Sequence, residues 1–557
     1  METFRKGSSR CAGAWATVSR MGRPALRLGV LCALMCAGAA ASVVLGTANA
    51  AGPATTTPTL TTITSKGALV LSGHGWGHGL GMSQWGAYGY AKHGWTYDKI
   101  LAHYYVGTSL GSESVSSVRV LVAQGKKEKL TATTVSDAAG HTLQLSGPAV
   151  LTPALTISGE QLTAPLTFTS TVPIAVNGVA YRGNMIVQVA GKSLLVINDV
   201  ALDSYVKGVV PSEMPSKWPA AALAAQAVAA RSYALANLAK DAPYDLFGDG
   251  RSQVYGGVKA ETDATNAAVD ATRGQVVLYK GNVADTLYFS SSGGRTVSAL
   301  EATGVAVPYL QSVADPYDTL SPHHNWGPVV VDFAKVAKAL KLTSPIDDVQ
   351  IALGPSGRVH TATIVTDAGS QTFTGSRMRT ALGLQSTWFT PSLLELVPPT
   401  GAVAFGSPAS LTGFARGSLS GVTLEARPLG GAWQPVGSVE AATDGSFDTA
   451  VTPDVTTQYR LAWGNVRVGL AKVSVAPLVT ASVTADGITG TLQPVLAGVE
   501  VDLQVESGTV WATVASTLTD STGAWSFAGT LEPGAYRVRC APANGLAAGV
   551  STAVQVS

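Results

Sequence analysis

"LDSYVKGVVPSEMPSKWPAAALAAQAVAARSYAL", residues 202–235, moves from a proline-punctuated stretch carrying one carboxylate into an alanine-rich run. The second half decides the fold class. The spacing predicts a helix over 216–240, with Ser216 and Pro219 near its start and alanine filling its interior. On that helix Gln226, Ala230 and Tyr233 share one face and Arg231 falls on another. Before it, Glu213 reads as part of a short turn bounded by Pro211 and Pro215, beside Met214 and Trp218. Apolar neighbours disfavour the ionised form of a carboxyl group and raise its pKa, which suits a general acid at neutral pH. A plain surface turn is the competing reading.

Upstream, from about 115 to 200, short Val/Ile/Leu/Thr runs such as "VRVLVA" and "SLLVINDV" alternate with Gly, Asn and Asp, a β pattern. Downstream, mixed β and short helical segments continue to about residue 395, where "LVPPTGAV" reads as a break. The expectation is an α+β domain over 67–396, its core at 115–392, followed by two all-β modules at 397–477 and 478–557. The modules repeat at about 77 residues: 421–447 aligns with 498–525, and Tyr459-Arg460 recurs as Tyr536-Arg537. Their alternating strands and turn residues suggest immunoglobulin-like sandwiches. Trp433, Trp511 and Trp525 are read as sandwich core, with a carbohydrate platform as the alternative.

The stretch "GHGWGHGLGMSQWGAYGYAKHG", residues 73–94, concentrates glycine, histidine and tryptophan. Glycines at 73, 75, 77, 79 and 81 make a helix over His74 and His78 improbable and let a ligand approach the backbone. Two short helices should follow, capped by Ser83 and Thr96 and ended near Gly94 and Gly107. His93 and His103 lie close in sequence, but neither a cysteine nor a carboxylate trio completes a zinc shell. A metal site, a ligand surface of histidine and glutamine, and structural packing stay open. Two further fragments add polar groups: "DGRSQVYGG" (249–257) offers Gln253 and Tyr255, and "YFSSSGGRT" (288–296) offers Ser291 and Ser292 in a turn. Neither a phosphate loop nor a nucleophile elbow is present.

Residues 1–50 read as a secretory signal: Arg20, Arg23 and Arg27 precede the apolar run Leu28–Gly46, and Ala48-Asn49-Ala50 suits cleavage. An uncleaved anchor is the alternative. Thr- and Pro-rich residues 51–66 read as a linker. The leader holds six of the 37 Lys/Arg and one of the 35 Asp/Glu, so residues 51–557 carry 31 basic and 34 acidic side chains, a formal charge of −3. That balance argues against nucleic acid as a partner. No apolar stretch after residue 50 is long enough to span a bilayer, so no membrane contact is expected after cleavage. Of the four cysteines only Cys540 lies outside the leader, leaving no intramolecular disulfide.

Taken together, "YVKGVVPSEMPSKWPAAALAAQAVAARSYAL", "SQVYGG", "ATRGQVVLY", "SSSGGRT", "VPYLQSV", "MRTALGLQSTWF" and the glycine-histidine segment resemble the bacterial SpoIID/LytB family over roughly residues 67–392. One feature departs from the sporulation members. Their glycine-histidine segment follows the "LGLQSTWF"-like segment, whereas here it comes first, at 73–108, as in a circular permutation that folds with neighbouring termini tolerate. The permuted segment should still dock against the Glu213 region.

The resemblance implies a lytic transglycosylase that cleaves peptidoglycan glycan strands, with Glu213 as the catalytic acid and 1,6-anhydro-N-acetylmuramic acid ends as products. It implies an extracytoplasmic, cell-wall setting related to sporulation. No cofactor is implied and no metal is carried over, since the zinc-binding relatives use cysteines that this domain lacks. His78, Gln84 and Trp76 are then expected to contact the glycan, joined by Gln226, Arg231, Tyr233, Gln253, Tyr255, Ser291 and Ser292. The alternative implied by the LytB name is a non-catalytic wall-binding protein that stimulates a cell-wall amidase.

Overall fold

The computed structural model describes residues 60–63, 65–114, 117–239, 241–543 and 545–557. The expected signal segment and linker residues 51–59 lie outside the described residues. The chain is mixed α/β, mostly strand, with eight α-helices among the described residues.

Strand Gly67–His74 has a hydrophobic core on each side. Its Leu69 and Leu71 pack with Phe333, Val336, Ile364 and Leu393, while Ala68 and Val70 pack with Leu394, Leu411, Leu461 and Val468. Successive side chains of a strand point to opposite faces, so a strand buried on both must be apolar at consecutive positions, as "GALVL" is. It lies inside a five-stranded sheet ordered Asn325–Asp332, Gly67–His74, Phe389–Val397, Ala409–Arg416, Ser446–Val451.

That sheet crosses the boundary expected between 396 and 397. Leu394 and Leu396 belong to the core of the first β module, and Phe389 and Leu393 to the core on the other side. Part of the expected linker joins the same module: strand Thr61–Ile63 pairs in parallel with Val466, Arg467 and Val468. The second module has a core of its own, in which Ile488, Leu492, Trp525 and Phe527 of one sheet meet Val501, Leu503, Tyr536 and Val538 of another. Trp525 is buried there as expected. Trp433 and Trp511 are not: each is only partly buried, with Arg460 and Arg537 lying over their rings at 3.9 and 4.3 Å. The repeated Tyr-Arg pair explains this, because alternation turns the tyrosine into the core and the arginine onto the outer face where the tryptophan waits.

In the motif-bearing domain a seven-stranded sheet includes Ser117–Gly125, Ser193–Ala201 and Asn184–Ala190. Strand Ser193–Ala201 runs directly into the helix Leu202–Glu213, with Ala201 as N-cap. The expected turn around Glu213 is therefore the last turn of a helix, with Pro211 inside it. Proline keeps a helical φ and removes only one donor, and the apolar positions Tyr205, Val206, Val209 and Val210 hold the helix against the core. The alanine helix spans Ala220–Ala236, shorter than expected, because Met214 leaves the preceding helix in extended geometry and Pro219 caps the next. Residues 222–234 of it are buried throughout, as a helix apolar all round should be. No helix among the described residues is long and apolar enough to cross a membrane.

The shared sheet makes truncation informative. Removing residues 478–557 takes away a module with its own core, and the remaining melting transition should persist. Ending the chain at Val397 instead strips cover from Val70, Leu394 and Leu396 and should cost about 6 kcal/mol, at roughly 2 kcal/mol per large apolar side chain. Denaturant melts of the two truncations check this, and equal stability would contradict it.

Candidate functional site

Strand Gly67–His74 delivers the glycine-rich segment to the domain's groove. Gly75, Gly77, Gly79 and Gly81 have φ of +73°, +122°, +86° and +72°, a region that side chains disfavour. Space forbids a side chain as well: a Cβ on Gly75 would lie 2.6 Å from the Ser291 carbonyl oxygen, and one on Gly81 2.0 Å from that of Leu287. The loop is thus laid along the 287–291 segment. Trp76 and Ser291 exchange backbone hydrogen bonds of 2.7 and 3.0 Å, and Met82-Ser83 pairs in parallel with Tyr288-Phe289. Helix Gln84–Lys92 then starts, its N-cap Ser83 accepting the Gly86 N–H, and Gln84 points to Glu213.

Glu213 lies in a cavity that Trp76, His78, Gln84, Tyr233 and Tyr288 also line. Its Oε1 accepts the Val254 N–H at 3.1 Å and its Oε2 accepts Gln84 Nε2 at 3.3 Å. The Tyr288 hydroxyl is a third partner. That hydroxyl already accepts Gln253 Nε2 at 2.9 Å, and Gln253 Oε1 accepts the Tyr205 hydroxyl at 3.0 Å, so the Tyr288 proton is left to face Glu213. Burial pushes the Glu213 pKa up, against the three donors that favour its charged form. The result is a carboxyl group biased toward protonation and held in one orientation.

The glycine-histidine segment does reach Glu213, but His78 does so as a wall. Its Nδ1 accepts the Leu80 N–H at 3.1 Å, so Nε2 carries the ring proton and donates it to the Tyr288 carbonyl at 3.0 Å. Burial, helped by the Arg379 charge, pulls its pKa down to about 4, and both nitrogens are engaged. Trp76 is 42% exposed and stands edge-on to His323. Tyr233 lines the cavity from the alanine helix.

The other expected residues serve behind the groove. Gln253 is buried and bridges Tyr205 to Tyr288. Tyr255 is buried and donates to Asn198 Oδ1 at 2.9 Å. Arg231, fully buried, grips Asp203 at 2.7 Å and the Gln275 carbonyl at 3.0 Å, tying the glutamate helix to the alanine helix and to strand Gln275–Tyr279. Gln226 is fully buried on the alanine helix, and its amide atoms have no hydrogen-bond partner among the described residues. Ser291 and Ser292 turn inward, to Asp318 at 2.9 Å and Asp315 at 2.7 Å. Their neighbour Ser290 lines the cavity instead.

Three contributors escaped sequence reasoning. Tyr288 sits in a quoted fragment in which only the serines and glycines drew attention, although strand alternation places it opposite the buried Phe289. Arg379 lies in the quoted "MRTALGLQSTWF" and lines the groove. Asp318 lies in "ADPYDTL", which no motif covers. The histidines are spent separately: His74 tilts against Trp388, His93 stacks on Tyr317 and His103 bonds the Tyr90 hydroxyl at 3.0 Å. Among the described residues no three His, Cys, Asp or Glu side chains gather as a metal shell.

Residues 190–279 match a protein family described as stage II sporulation protein. Over 140 residues the chain is 41% identical to an uncharacterized protein of Brachyspira hyodysenteriae, covering 25% of this chain and 38% of that one. It is 37% identical over 139 residues to the amidase enhancer of Bacillus subtilis, covering 25% of this chain and 19% of the relative. It is 32% identical over 216 residues to the stage II sporulation protein D of Bacillus subtilis, covering 35% of this chain and 61% of the relative. The match thus spans less than two thirds of each of these relatives.

Because Arg231 is a buried cation whose carboxylate partner is Asp203, removing that partner should be costly. Asp203→Ala is expected to lower stability by about 3 kcal/mol, the usual cost of breaking a buried pair. Chemical denaturation measures it. A change below about 1 kcal/mol, the range of exposed pairs, would deny Arg231 this structural role.

Proposed function

Since the chain belongs to the SpoIID/LytB family through the domain that carries this groove, we propose that it cleaves peptidoglycan glycan strands as a lytic transglycosylase, with Glu213 as acid and then base. The setting of Glu213 carries the reading: a carboxyl group whose pKa is raised by burial, fixed by three donors and open to a groove. The protonated carboxyl gives its proton to the glycosidic oxygen as the bond from that oxygen to C1 breaks. The C6 hydroxyl of the same muramic residue then adds to C1, and its proton passes to the Glu213 carboxylate. A 1,6-anhydro ring and a free hydroxyl on the leaving sugar result, and the acid is restored without water. Ordinary glycosidases use two carboxyl groups because water must be activated or a covalent intermediate formed. An internal hydroxyl removes that need.

In this reading Trp76, Gln84 and Tyr233 face the strand, and His78 shapes the wall. Gln253 and Tyr288 orient the carboxyl, while Gln226, Arg231, Tyr255, Ser291 and Ser292 support the groove from behind. The protein acts outside the cytoplasm at the cell wall, its β modules serving as immunoglobulin-like spacers. The 37% identity to a protein named amidase enhancer favours one other reading, a wall-binding partner of an amidase that uses the groove without the acid.

Mass spectrometry of glycan strands incubated with the protein and with Glu213→Gln separates the two. Anhydro-ended fragments that fall at least about a hundredfold in the variant support the enzyme, as loss of a general acid should. Binding without cleavage by the unaltered protein supports the partner. The pH profile adds a second check. The rate should fall as pH rises through the raised Glu213 pKa, because only the protonated form donates. Gln84→Ala removes a donor that favours the charged form, so this alkaline limb should move upward in pH. A downward shift would contradict the assignment.

A further inference from the structure

A second cavity adjoins the groove and shares its His78 and Arg379 walls. Arg358 lines it, only 3% exposed. Its Nη2 donates to the Ser292 and Arg295 carbonyls at 2.9 and 3.1 Å, but Nε and Nη1 have no hydrogen-bond partner among the described residues. Burial lowers its pKa only to about 10, so the guanidinium stays charged at neutral pH. Glu301 also lines this cavity and acts on Arg358 through its charge, but its oxygens accept the Ser356 N–H at 3.1 Å and the Ser356 hydroxyl at 2.7 Å and form no hydrogen bond to the guanidinium. Buried cations are normally paired, and open donors on one are expensive.

Another part of the lining is positive too. The first turn of helix Gly375–Leu382, with N-cap Thr374, lines the cavity, and a helix N-terminus favours an anion. Arg379 projects from the same helix. The cavity therefore joins a buried guanidinium with unused donors, a second guanidinium and a helix N-terminus.

We propose that this cavity is an anion-binding subsite continuous with the groove, which holds a carboxylate carried by the bound glycan strand. The inference rests on the glycan-cleaving reading and adds what the strand must bear. Two sources share this chemistry: the lactyl carboxylate of muramic acid, free once stem peptides are removed, and the carboxylates of the stem peptides themselves. Arg358 would favour either carboxylate by its charge, with Nε and Nη1, unpartnered but shielded from solvent in this structure, as the donors it could offer, a charge-assisted contact rather than a sugar-stacking one.

The test compares equilibrium binding of stripped strands, of the same strands with their carboxyls reduced to alcohols, and of peptide-bearing strands. The full chain is used with Arg358→Gln and His360→Glu; His360 is exposed at the cavity, so its replacement adds an anion there without emptying the core. Circular dichroism checks that each variant is folded. Stripped strands should bind the unaltered protein about tenfold tighter than reduced ones, the worth of one charged hydrogen bond. Both variants should erase that difference while keeping the affinity for reduced strands. If Arg358→Gln fails to fold, His360→Glu alone decides. A carboxylate preference limited to peptide-bearing strands supports the subsite and assigns it to the stem peptide. Equal binding of native and reduced strands by the unaltered protein overturns the subsite but leaves the glycan reading standing. No binding of any strand overturns both.

Discussion

The buried carboxyl group of Asp318 holds the groove together. It accepts the hydroxyls of Ser83 and Ser291, the backbone N–H groups of Ser292 and Gly293, and the ring of His324. Ser83 is also the cap of the helix that presents Gln84, and Ser291 is bridged to Trp76. Segments far apart in sequence thus meet on two oxygen atoms. A buried carboxyl group is tolerated when its lone pairs are filled, and the same bonds then fix the segments that fill them. The Ser-Ser-Gly-Gly turn is built for this inward task, which is why Ser291 and Ser292 face away from the groove.

The second constraint is the strand Gly67–His74, buried on both faces. It ties the groove-bearing domain to the first β module, since its neighbour Phe389–Val397 continues the sheet into Ala409–Arg416. It also sets the direction in which the glycine-rich loop leaves. The loop precedes the rest of its domain in the chain, yet the hydrogen bonds that seat it run to residues 287–291, Val297, 323–324, Gln385 and Trp388 and to Glu213. Position in space, enforced by backbone pairing and by glycines too close to other chain for any side chain, is indifferent to order in sequence. A segment that comes first in the chain needs only to arrive at the correct edge.

Much of this was legible because it is local. The caps at Ser83, the glycine loop and the alanine helix follow from residue chemistry within a few positions, and Glu213 stands out by its proline and tryptophan surroundings. What was not legible depends on distant partners. Arg231 looks like a groove residue until Asp203 is found beside it, and Asp318 has no motif because its partners lie at 83, 291–293 and 324. The helix through Pro211 was hidden because its support is tertiary, from buried Tyr205, Val206, Val209 and Val210. The sheet that crosses the expected module boundary was hidden for a similar reason: prolines at 398 and 399 signal a break, and such a signal alone does not say that Phe389–Val397 pairs with Ala409–Arg416 beyond it.

These features converge on the electrostatics of Glu213. Burial alone would raise its pKa but leave the carboxyl free to rotate, and hydrogen bonds alone would hold it but favour the ionised form. The groove combines both, with burial the larger effect. Its three donors come from separate places: Gln84 from the helix after the glycine loop, Val254 from the loop after the alanine helix, and Tyr288 from the strand beside the loop. Orientation is therefore acquired only when the loop, the helices and the strand are all docked, and Asp318 is what docks the first to the last. A carboxyl group made rigid in this way suits the proposed reaction, in which one group delivers a proton to a fixed oxygen and takes one back from a nearby hydroxyl without water.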